Sequence, residues 1–369
     1  MSHLQQISGR ILTPEGWVEG TLSFDAKIRR IEAHTLSGPL PTILPGFIDT
    51  HVHGGGGADT MQGGDAVVTL SRLHARHGTT SLLATTMTAP EADIVAALTA
   101  LAGVCETRPS GAARVLGVHL EGPYINRGKL GAQPDNTCHA ALSQFDTFNR
   151  IAPIKLVTIA PEIPGHLDII AALKARGVRV QLGHTLGSYE DGVAALKHGA
   201  SGFTHLFNAM TGLHHREPGM VGAALAHAEF AELIPDLLHI HPGAMHAAIR
   251  AIPHLFCVTD STAAAGMPDG QYRLGSHTVT KCLGGVRLAD GTLAGSTLTM
   301  DQALRNLVSI GLDLADASHR LSRNPADYLG VHDRGRLAEA CWADLTVFDA
   351  DLNLTQVYVE GESLVLADA

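Results

Sequence analysis

Apolar runs rich in β-branched residues alternate with helix-period segments from about residue 43 to about residue 330. The runs have the length of strands and end at Ile48–His51, Leu82–Thr85, Gly117–Glu121, Leu156–Ile159, Val180–His184, Phe203–His205, Leu237–Ile240 and Phe256–Asp260. Helical periodicity lies between most of them, at Asp65–His77, Glu91–Leu101, Leu167–Arg176 and Tyr189–Lys197. Eight strands that alternate with helices predict an α/β fold, a (β/α)8 TIM-like barrel rather than an open sheet.

The two ends of the chain follow a different pattern, an alternation of apolar and polar residues that is typical of short strands. Residues 5–35 carry apolar side chains at Ile7, Ile11, Val18, Leu22, Phe24, Ile28 and Ile31. Asp344–Phe348 and Val357–Gly361 alternate in the same way. We therefore predict that the ends, residues 1–44 and 334–369, pair into a small β-sandwich domain beside a barrel of residues 45–333.

Composition limits the classes of partner that we expect for this protein. The formal net charge is −10 and there is no Lys/Arg-rich run, which argues against nucleic acid and anionic membranes as partners. No apolar stretch approaches the roughly 20 residues that are needed to span a bilayer. The five cysteines are scattered and form no CxxC motif, as expected of reduced thiols in a cytoplasmic protein.

Side chains that can bind metals lie where the predicted strands end, which is where barrel active sites are built. His51 and His53 are two apart in an extended segment, so their side chains point the same way. Later strands contribute Glu121, His184, His205 and Asp260. A lone histidine at a strand end is usually a hydrogen-bonded core residue, but six such side chains together favour a zinc or iron site with an open position for water. His119, on the same side of its strand as Glu121, is expected to have a structural or supporting role.

Several segments resemble the motifs of a known enzyme family. Pro45–His53 resembles the first-strand signature of the amidohydrolase superfamily. Further segments resemble the N-acetylglucosamine-6-phosphate deacetylase family within it, in family order: His119–Pro123, Gly183–Thr185, Thr204–Met210, Arg216–Gly219, Val258–Asp260 and Gly295–Met300. The resemblance implies hydrolysis of the acetamide of N-acetyl-D-glucosamine 6-phosphate to D-glucosamine 6-phosphate and acetate, in amino-sugar catabolism.

The resemblance also implies roles for individual residues. The main metal ligands of the family match Glu121, His184 and His205. A second site, found in members that bind two metals, matches His51, His53 and Asp260 with a bridging Glu121, so one or two divalent metals per chain are expected. Asp260 also matches the catalytic acid/base, and His239 matches the group that polarises the substrate carbonyl. The sugar- and phosphate-contacting positions match Ala132, Gln133, Asn208, Ala209, Arg216, His239, Leu293, Ala294 and Gly295.

The quaternary structure is also implied by the family. Its arginine at the position of Arg216 contacts the substrate phosphate across a dimer interface. A homodimer that donates Arg216 to the neighbouring active site is therefore expected.

Three positions depart from the family pattern and leave alternatives open. Gln133 stands where some members have His, Leu237 where Gly is usual, and Ala340 where Gly is common. The first two bear on sugar specificity, so N-acetyl-D-galactosamine 6-phosphate is an alternative substrate. A cyclic-amide hydrolase of the same superfamily would need a carboxylated lysine at the end of the fourth strand, whereas Lys155 lies at its start. A non-catalytic binding barrel is disfavoured because all the expected metal ligands are present.

Overall fold

The two ends of the chain combine into one mixed sheet of seven strands. The structure, a computed structural model, describes residues 4–366, so the outermost residues of the predicted small domain, 1–3 and 367–369, lie outside the described residues. The strands are β1 (Gln5–Thr13), β2 (Gly16–Phe24), β3 (Ile28–Ala33), β4 (Thr42–Pro45), β18 (Leu345–Phe348), β19 (Leu354–Val359) and β20 (Glu362–Ser363). Their order is β20-β19-β18-β4-β1-β2-β3, and β4 joins the halves by pairing parallel to β1 and antiparallel to β18.

The prediction of a small β-domain built from both ends is thus confirmed. Where the sequence suggested a β-sandwich, hydrogen bonds join all seven strands into a single sheet. Its own hydrophobic cluster includes Ile11, Phe24, Ile43 and Leu345, from both ends of the chain. The domain boundaries at residues 44/45 and 333/334 stay predictions.

Eight short parallel strands form the wall of the barrel. Six pair in chain order in one sheet: β5 (Phe47–Val52), β8 (Thr79–Thr85), β9 (Arg114–Glu121), β10 (Ile154–Ile159), β11 (Arg179–Leu182) and β12 (Gly202–Phe203). A second parallel pair consists of β13 (Glu232–Leu233) and β14 (Phe256–Cys257). The N–H of Leu206 donates to the carbonyl of Glu232 at 2.9 Å, and a parallel bridge joins Val52 to Ser261, so the ring is closed. The predicted (β/α)8 barrel is confirmed.

The seventh strand is not where the sequence placed it. The apolar run that ends at Leu237–Ile240 is a loop, and the strand is Glu232–Leu233. Pro235 follows this strand and lacks an N–H to continue the ladder. Oδ1 of Asp236 then accepts from the N–H groups of Leu238 and His239, both at 2.9 Å, which closes a side-chain-stabilised turn.

Helices cover the outside of the barrel: α1 (Ala66–Arg76), α2 (Glu91–Glu106), α3 (Leu142–Ile151), α4 (His166–Ala175), α5 (Tyr189–His198), α6 (Gly219–His227), α7 (Pro242–Ala251), α8 (Met300–Ser309), α9 (Leu314–Leu321) and α10 (Arg323–Leu329). The four helices predicted by periodicity are α1, α2, α4 and α5; the first residues of α2 and α5 coincide with the prediction, and the other ends are shifted by one to five residues. Within residues 4–366, none of the helices has the length and apolar character to cross a bilayer.

Additional short strands lie at the carboxyl-end face of the barrel. A short hairpin pairs β6 (Gly54–Gly55) with β7 (Ala58–Asp59). A three-stranded antiparallel sheet, which the sequence reading did not predict, follows β14 and comprises β15 (Gly270–Leu274), β16 (His277–Cys282) and β17 (Gly285–Arg287). Leu274 and Val279 pack against Met87 and Ala264 and fix this sheet beside the barrel mouth.

A largely buried ion network joins the small sheet to the barrel. The carboxylate of Glu360, which follows β19, accepts two hydrogen bonds from Arg114 at the start of β9, both at 2.8 Å. It also accepts from Arg334 at 2.5 Å and from Arg108 at 3.2 Å. Burial raises the pKa of Glu360, but the hydrogen bonds from Arg114 and Arg334 outweigh burial and lower it to about 2.

Candidate metal centre and active-site cavity

The six predicted metal ligands come together at the carboxyl ends of the barrel strands. His51 and His53 lie at the end of β5, Glu121 ends β9, and the other three follow β11, β12 and β14. All six side chains are buried, and the most exposed of them, Asp260, is 8% exposed. This convergence is the outcome of a closed parallel barrel, because the carboxyl ends of all its strands meet on one face.

Glu121, His184 and His205 form one compact group. Oε1 of Glu121 lies 3.0 Å from Nε2 of His184 and 3.2 Å from Nε2 of His205. The two imidazole nitrogens are 3.1 Å apart. Nδ1 of His184 lies 2.8 Å from the carbonyl oxygen of Lys129, so this ring donates through Nδ1 and presents the lone pair of Nε2 to the group.

His51, His53 and Asp260 form a second group that shares Glu121 with the first. The Nε2 atoms of the two histidines are 3.2 Å apart, and they lie 3.4 Å and 3.3 Å from Oδ1 of Asp260. The second oxygen of Glu121, Oε2, is 2.9 Å from Nε2 of His53 and 3.3 Å from Nε2 of His51. Glu121 therefore stands between the two groups with one oxygen towards each.

The donor set fits a divalent transition metal. Each group offers imidazole nitrogens and carboxylate oxygens, the ligands that zinc and iron take, and the ligand atoms in each group lie within 4.8 Å of one another. Ligand atoms around a tetrahedral zinc at about 2.0–2.1 Å are roughly 3.3 Å apart, close to the separations here. Among the described residues, Nδ1 of His53 and Nδ1 of His205 are buried without a hydrogen-bond partner, so these rings are not held by a protein hydrogen bond network alone.

The electrostatics of the cluster also favour a bound positive charge. Burial lowers the pKa of both His51 and His53, but Glu121 and Asp260 outweigh it, so that the pKa of His51 is raised well above its ordinary value and that of His53 to about 9. Conversely, burial raises the pKa of Asp260 but the two histidines lower it to about 2. The carboxylates thus remain ionised and attract either protons on the rings or a cation in their place.

Three of the candidate ligands adopt a left-handed backbone that side chains larger than glycine rarely take. The φ angles are 48° at His184, 27° at His205 and 49° at Asp260. Each of these residues lies two or three positions after the end of a barrel strand. Such conformations cost free energy and are typical of functional sites whose surroundings hold them in place.

A cavity of about 380 Å³ opens onto the two groups. Most of the predicted substrate-contacting residues line it: Ala132, Gln133, Asn208, Ala209, His239, Leu293 and Gly295. Ala294 does not line it, because its side chain is fully buried in the apolar cluster beneath β17. Arg216 lies elsewhere, exposed in a surface depression beside Gly212 and Pro218, with Nη1 2.7 Å from Nε2 of His215. Lys129 lines both the cavity and this depression.

Gln133 connects the cavity wall to the cluster. Its Nε2 donates to Oε2 of Glu121 at 2.7 Å, and its Oε1 accepts from the N–H of Thr88 at 2.7 Å. The amide is therefore held at both ends and orients the shared carboxylate. Position 133, where some family members carry histidine, therefore contacts a candidate metal ligand in this protein.

Sequence reasoning missed two buried carboxylates beneath the cluster. Glu232 in β13 accepts from Nδ1 of His51 at 3.0 Å, and Asp49 in β5 accepts from the hydroxyl of Thr259 at 2.6 Å. Burial raises the pKa of Asp49 to about 7, although hydrogen bonds from Thr259 and His51 oppose the shift. A signal was present in both cases, since Asp49 directly follows Phe47 and Ile48 and Glu232 lies between Ala231 and Leu233. A charge buried among such apolar residues needs a partner.

The fold and the buried groups define the class of this protein: an α/β barrel with side chains that can hold a divalent metal at the carboxyl ends of its strands. The sequence model of the Amidohydrolase family matches residues 42–364, and the chain belongs to that family.

Individual relatives support a narrower resemblance. The chain is 39% identical to N-acetylgalactosamine-6-phosphate deacetylase from Escherichia coli O157:H7, over 98% of this chain and 99% of that protein. It is also 39% identical to N-acetylglucosamine-6-phosphate deacetylase from Vibrio furnissii, over 94% of this chain and 88% of that protein. A solved structure of a mutant N-acetyl-D-glucosamine-6-phosphate deacetylase from Mycobacterium smegmatis, in complex with N-acetyl-D-glucosamine-6-phosphate, has a TM-score of 0.91 and 33% identity, and the match covers 98% of this chain and 99% of that chain. The resemblance inferred from the motifs is confirmed.

Proposed function

We propose that this protein hydrolyses the acetamide of N-acetyl-D-glucosamine 6-phosphate to D-glucosamine 6-phosphate and acetate. The observation that carries the proposal is that members of both ligand groups line one cavity, among them Asp260. His239 lines the same cavity. The similarity to amino-sugar-phosphate deacetylases along nearly the entire chain supports this substrate class. The reaction belongs to amino-sugar breakdown, and we place the protein in the cytoplasm.

Glu121, His184 and His205 would hold the tighter-bound divalent metal, and His51, His53 and Asp260, with the second oxygen of Glu121, would hold another. Zinc and iron are the metals that best match this mixture of imidazole and carboxylate. When bound, such a cation supplies Lewis acidity, which makes water more acidic and an amide carbonyl more electrophilic.

Asp260 would serve as the acid and base of the reaction. Its carboxylate borders the cavity, where it can accept a proton from the attacking water. The same proton would then pass to the amide nitrogen, so that the C–N bond breaks and the amine leaves neutral. Acetate retains the oxygen of the water.

His239 would donate a hydrogen bond to the carbonyl oxygen of the acetyl group as negative charge develops there. Nδ1 of this ring lies 2.6 Å from Oδ2 of Asp236, which leaves Nε2 as the group available to the cavity. Removing one donor to a developing oxyanion typically costs about 10²–10³ in rate.

Arg216 would bind the phosphate in the active site of a neighbouring subunit of a homodimer. Arginine suits bidentate phosphate recognition, yet Arg216 lies outside its own cavity on an exposed loop. Two exposed leucines, Leu186 and Leu213, lie near this loop and offer apolar surface for a second copy to cover. Among residues 4–366, Lys129 is the lysine or arginine that lines the cavity.

N-acetyl-D-galactosamine 6-phosphate is the second candidate substrate, because the two relatives that act on different epimers by name are both 39% identical to this chain. The cyclic-amide alternative finds no support at the fourth strand. Lys155 is the second residue of β10, exposed and at the opposite end of the strand from the cluster.

Acetate release by the zinc-loaded protein tests the proposal. The substrates to compare are N-acetyl-D-glucosamine 6-phosphate, its galactosamine epimer, unphosphorylated N-acetylglucosamine and dihydroorotate. We expect the highest kcat/KM for the glucosamine phosphate and no reaction of dihydroorotate. A higher kcat/KM for the galactosamine epimer would instead establish the second candidate, and turnover of none of them would refute the deacetylase.

A further inference from the structure

The carboxylate of Glu232 is a buried charge that the proposed reaction does not use. Its side chain is fully buried, and Glu232 is the first residue of β13. Oε2 accepts from Nδ1 of His51 at 3.0 Å, and Oε1 accepts from the hydroxyl of Thr50 at 2.9 Å. A weaker contact of 3.4 Å joins Oε2 to the N–H of His205. Residues of β5 and β13 and of the segment that follows β12 thus meet at this one carboxylate.

His51 is distinguished by this contact from the other histidines of the cluster. Nδ1 of His184 faces the carbonyl oxygen of Lys129, which is neutral. Nδ1 of His53 and Nδ1 of His205 have no partner among residues 4–366. Within that part of the chain, His51 is therefore the cluster histidine whose distal nitrogen is hydrogen-bonded to a carboxylate.

His119 does not compete for Glu232, although its ring centroid lies 4.5 Å from that of His51. Its Nδ1 lies 3.2 Å from the carbonyl oxygen of Thr50, and its Nε2 lies 2.7 Å from the hydroxyl of Thr158. A carbonyl can only accept, so Nδ1 of His119 donates and Nε2 accepts from Thr158. Both ring nitrogens of His119 thus have partners other than Glu232, and the imidazole that Glu232 contacts is that of His51.

An ionised carboxylate can only accept hydrogen bonds, which fixes one proton of His51 on Nδ1. The lone pair of its imidazole form is then on Nε2, the atom that faces Glu121, His53 and Asp260 at 3.2–3.4 Å. A carboxylate behind a ligating histidine also makes the ring a better donor to a metal. Without this partner the ring can rotate or place its proton on Nε2, and either change removes a ligand.

We propose that Glu232 is a positioning residue that holds His51 as the Nδ1-protonated tautomer and so sets the affinity of the His51, His53 and Asp260 group for a divalent cation. The inference rests on the proposed function, since it assumes that this group takes up a metal. Glu232 does not line the cavity, and the imidazole that its carboxylate contacts is that of His51. A charge buried without this use would only cost stability.

Zinc titration of the metal-free full-length protein by calorimetry tests the proposal, with Glu232→Gln, Glu232→Leu and the wild type. Gln181→Leu is the matched control, because Gln181 is a buried polar residue of β11 that bonds to Thr204 and not to a cluster histidine. For Glu232→Leu we expect the second zinc equivalent to bind about 10–100-fold more weakly, with the first equivalent little changed. Glu232→Gln, which keeps an acceptor but loses the charge, should lie between Glu232→Leu and the wild type.

Nitrogen-15 NMR of the zinc-saturated proteins gives the second readout. The wild type should show the proton of His51 on Nδ1, and Glu232→Leu should lose or shift that signal. Unfolding temperatures separate positioning from stability: Gln181→Leu should be destabilised with both zinc affinities retained. Equal weakening of both equivalents, unchanged affinities in Glu232→Leu, or a wild type that binds a single zinc would overturn the inference. A wild type that binds no zinc, or that releases no acetate from any substrate, would instead refute the proposed function, so the two failures are distinguishable.

Discussion

Nδ1 of His239 lies 2.6 Å from Oδ2 of Asp236, three residues earlier in the loop that follows β13. The other oxygen of Asp236 holds the turn by accepting from the N–H groups of Leu238 and His239. One carboxylate therefore shapes the loop and orients the ring at the same time. Burial lowers the pKa of His239, but the hydrogen bond and charge of Asp236 outweigh it, and the net pKa is raised.

Replacing Asp236→Asn should separate these two roles of the carboxylate. Asn keeps an oxygen that can accept from the turn, so the loop should persist, but the charge that raises the pKa of His239 is lost. A raised pKa preserves the protonated donor to higher pH, and its loss should move the alkaline limb of the kcat/KM profile to lower pH. We expect kcat to fall about 10- to 100-fold. Full activity with an unchanged pH profile would show that Asp236 serves the loop alone.

Asp260→Asn should abolish turnover while substrate still binds. An amide neither takes up nor delivers the proton, so the loss should appear in kcat, by about 10²–10⁴-fold. Asp260 is also a candidate ligand, and elemental analysis of the variant must therefore show that the Glu121, His184 and His205 group is still loaded. If the loaded variant retained more than a few per cent of the wild-type kcat, Asp260 would not be the acid and base.

Removing the metal should abolish activity, and returning it should restore activity. After chelation we expect zinc to rebind up to two equivalents per chain, the first at Glu121, His184 and His205. His53→Ala should keep one tight equivalent, whereas His184→Ala should lose it. Because the ligand histidines must release protons, binding should weaken as the pH falls. A ratio that never exceeds one at saturating zinc would contradict the second site without contradicting the hydrolase.

The barrel strands were predictable where an apolar run ends in a polar side chain that belongs to the site at the barrel mouth. The end of β9 at Glu121 and the end of β5 at His51 are examples. The seventh strand could not be predicted in this way, because it is only two residues long and one of its residues is the charged Glu232. The more apolar run Leu237–Ile240 instead forms a turn that is held by Asp236. The apolar composition therefore favoured the wrong segment as the seventh strand, because the hydrogen bonds of the Asp236 side chain hold that segment in a turn.

The candidate metal ligands could be predicted from the sequence, but the hydrogen bonds that connect them to other buried residues could not. Glu232 and His51 are 181 residues apart, and no local pattern connects them. The family resemblance assigned Arg216 to the active site of a neighbouring subunit, and Arg216 indeed lies outside its own cavity, although the dimer itself stays a prediction. The insertion that brings Leu274 to the cavity was missed because its three strands are short and half exposed.

Glu360→Gln should destabilise the protein in a pH-dependent way. The pKa of this carboxyl is lowered to about 2 by Arg114 and Arg334, against the effect of burial. A lowered pKa contributes stability fully above the ordinary value of 4.5 and loses it as the pH falls towards 2. We expect the variant to lose about 2 kcal/mol of unfolding free energy at pH 7, and the difference to shrink below pH 4.

Denaturant unfolding at several pH values checks the Glu360 prediction. Glu32→Gln is the control, since Glu32 pairs with Arg30 on the surface, where the side chains are 43% and 68% exposed, respectively. This control should change stability little at any pH. A constant difference between Glu360→Gln and the wild type from pH 7 to pH 3 would contradict the ionic origin of the effect.

Arg216→Ala should weaken binding of the phosphorylated substrate and leave the free N-acetyl sugar almost unaffected. A bidentate contact between arginine and phosphate consists of charge-assisted hydrogen bonds, and its loss should raise KM about 10- to 100-fold. Equal losses on both sugars would remove the phosphate role, because only one of them carries the phosphate.

Because Arg216 lies outside its own cavity, the proposed dimer can be tested by combining two impaired variants. In a mixed dimer of Arg216→Ala with His184→Ala, the Arg216→Ala chain keeps its metal ligands and receives Arg216 from its partner. One of its two active sites is then complete, so a purified, differently tagged mixed dimer should recover about half of the wild-type kcat with a normal KM. Each parental homodimer, measured in parallel, should stay impaired. If Arg216 acted within its own chain, neither site of the mixed dimer would be complete, and full activity of a monomer in light scattering would equally exclude donation between subunits.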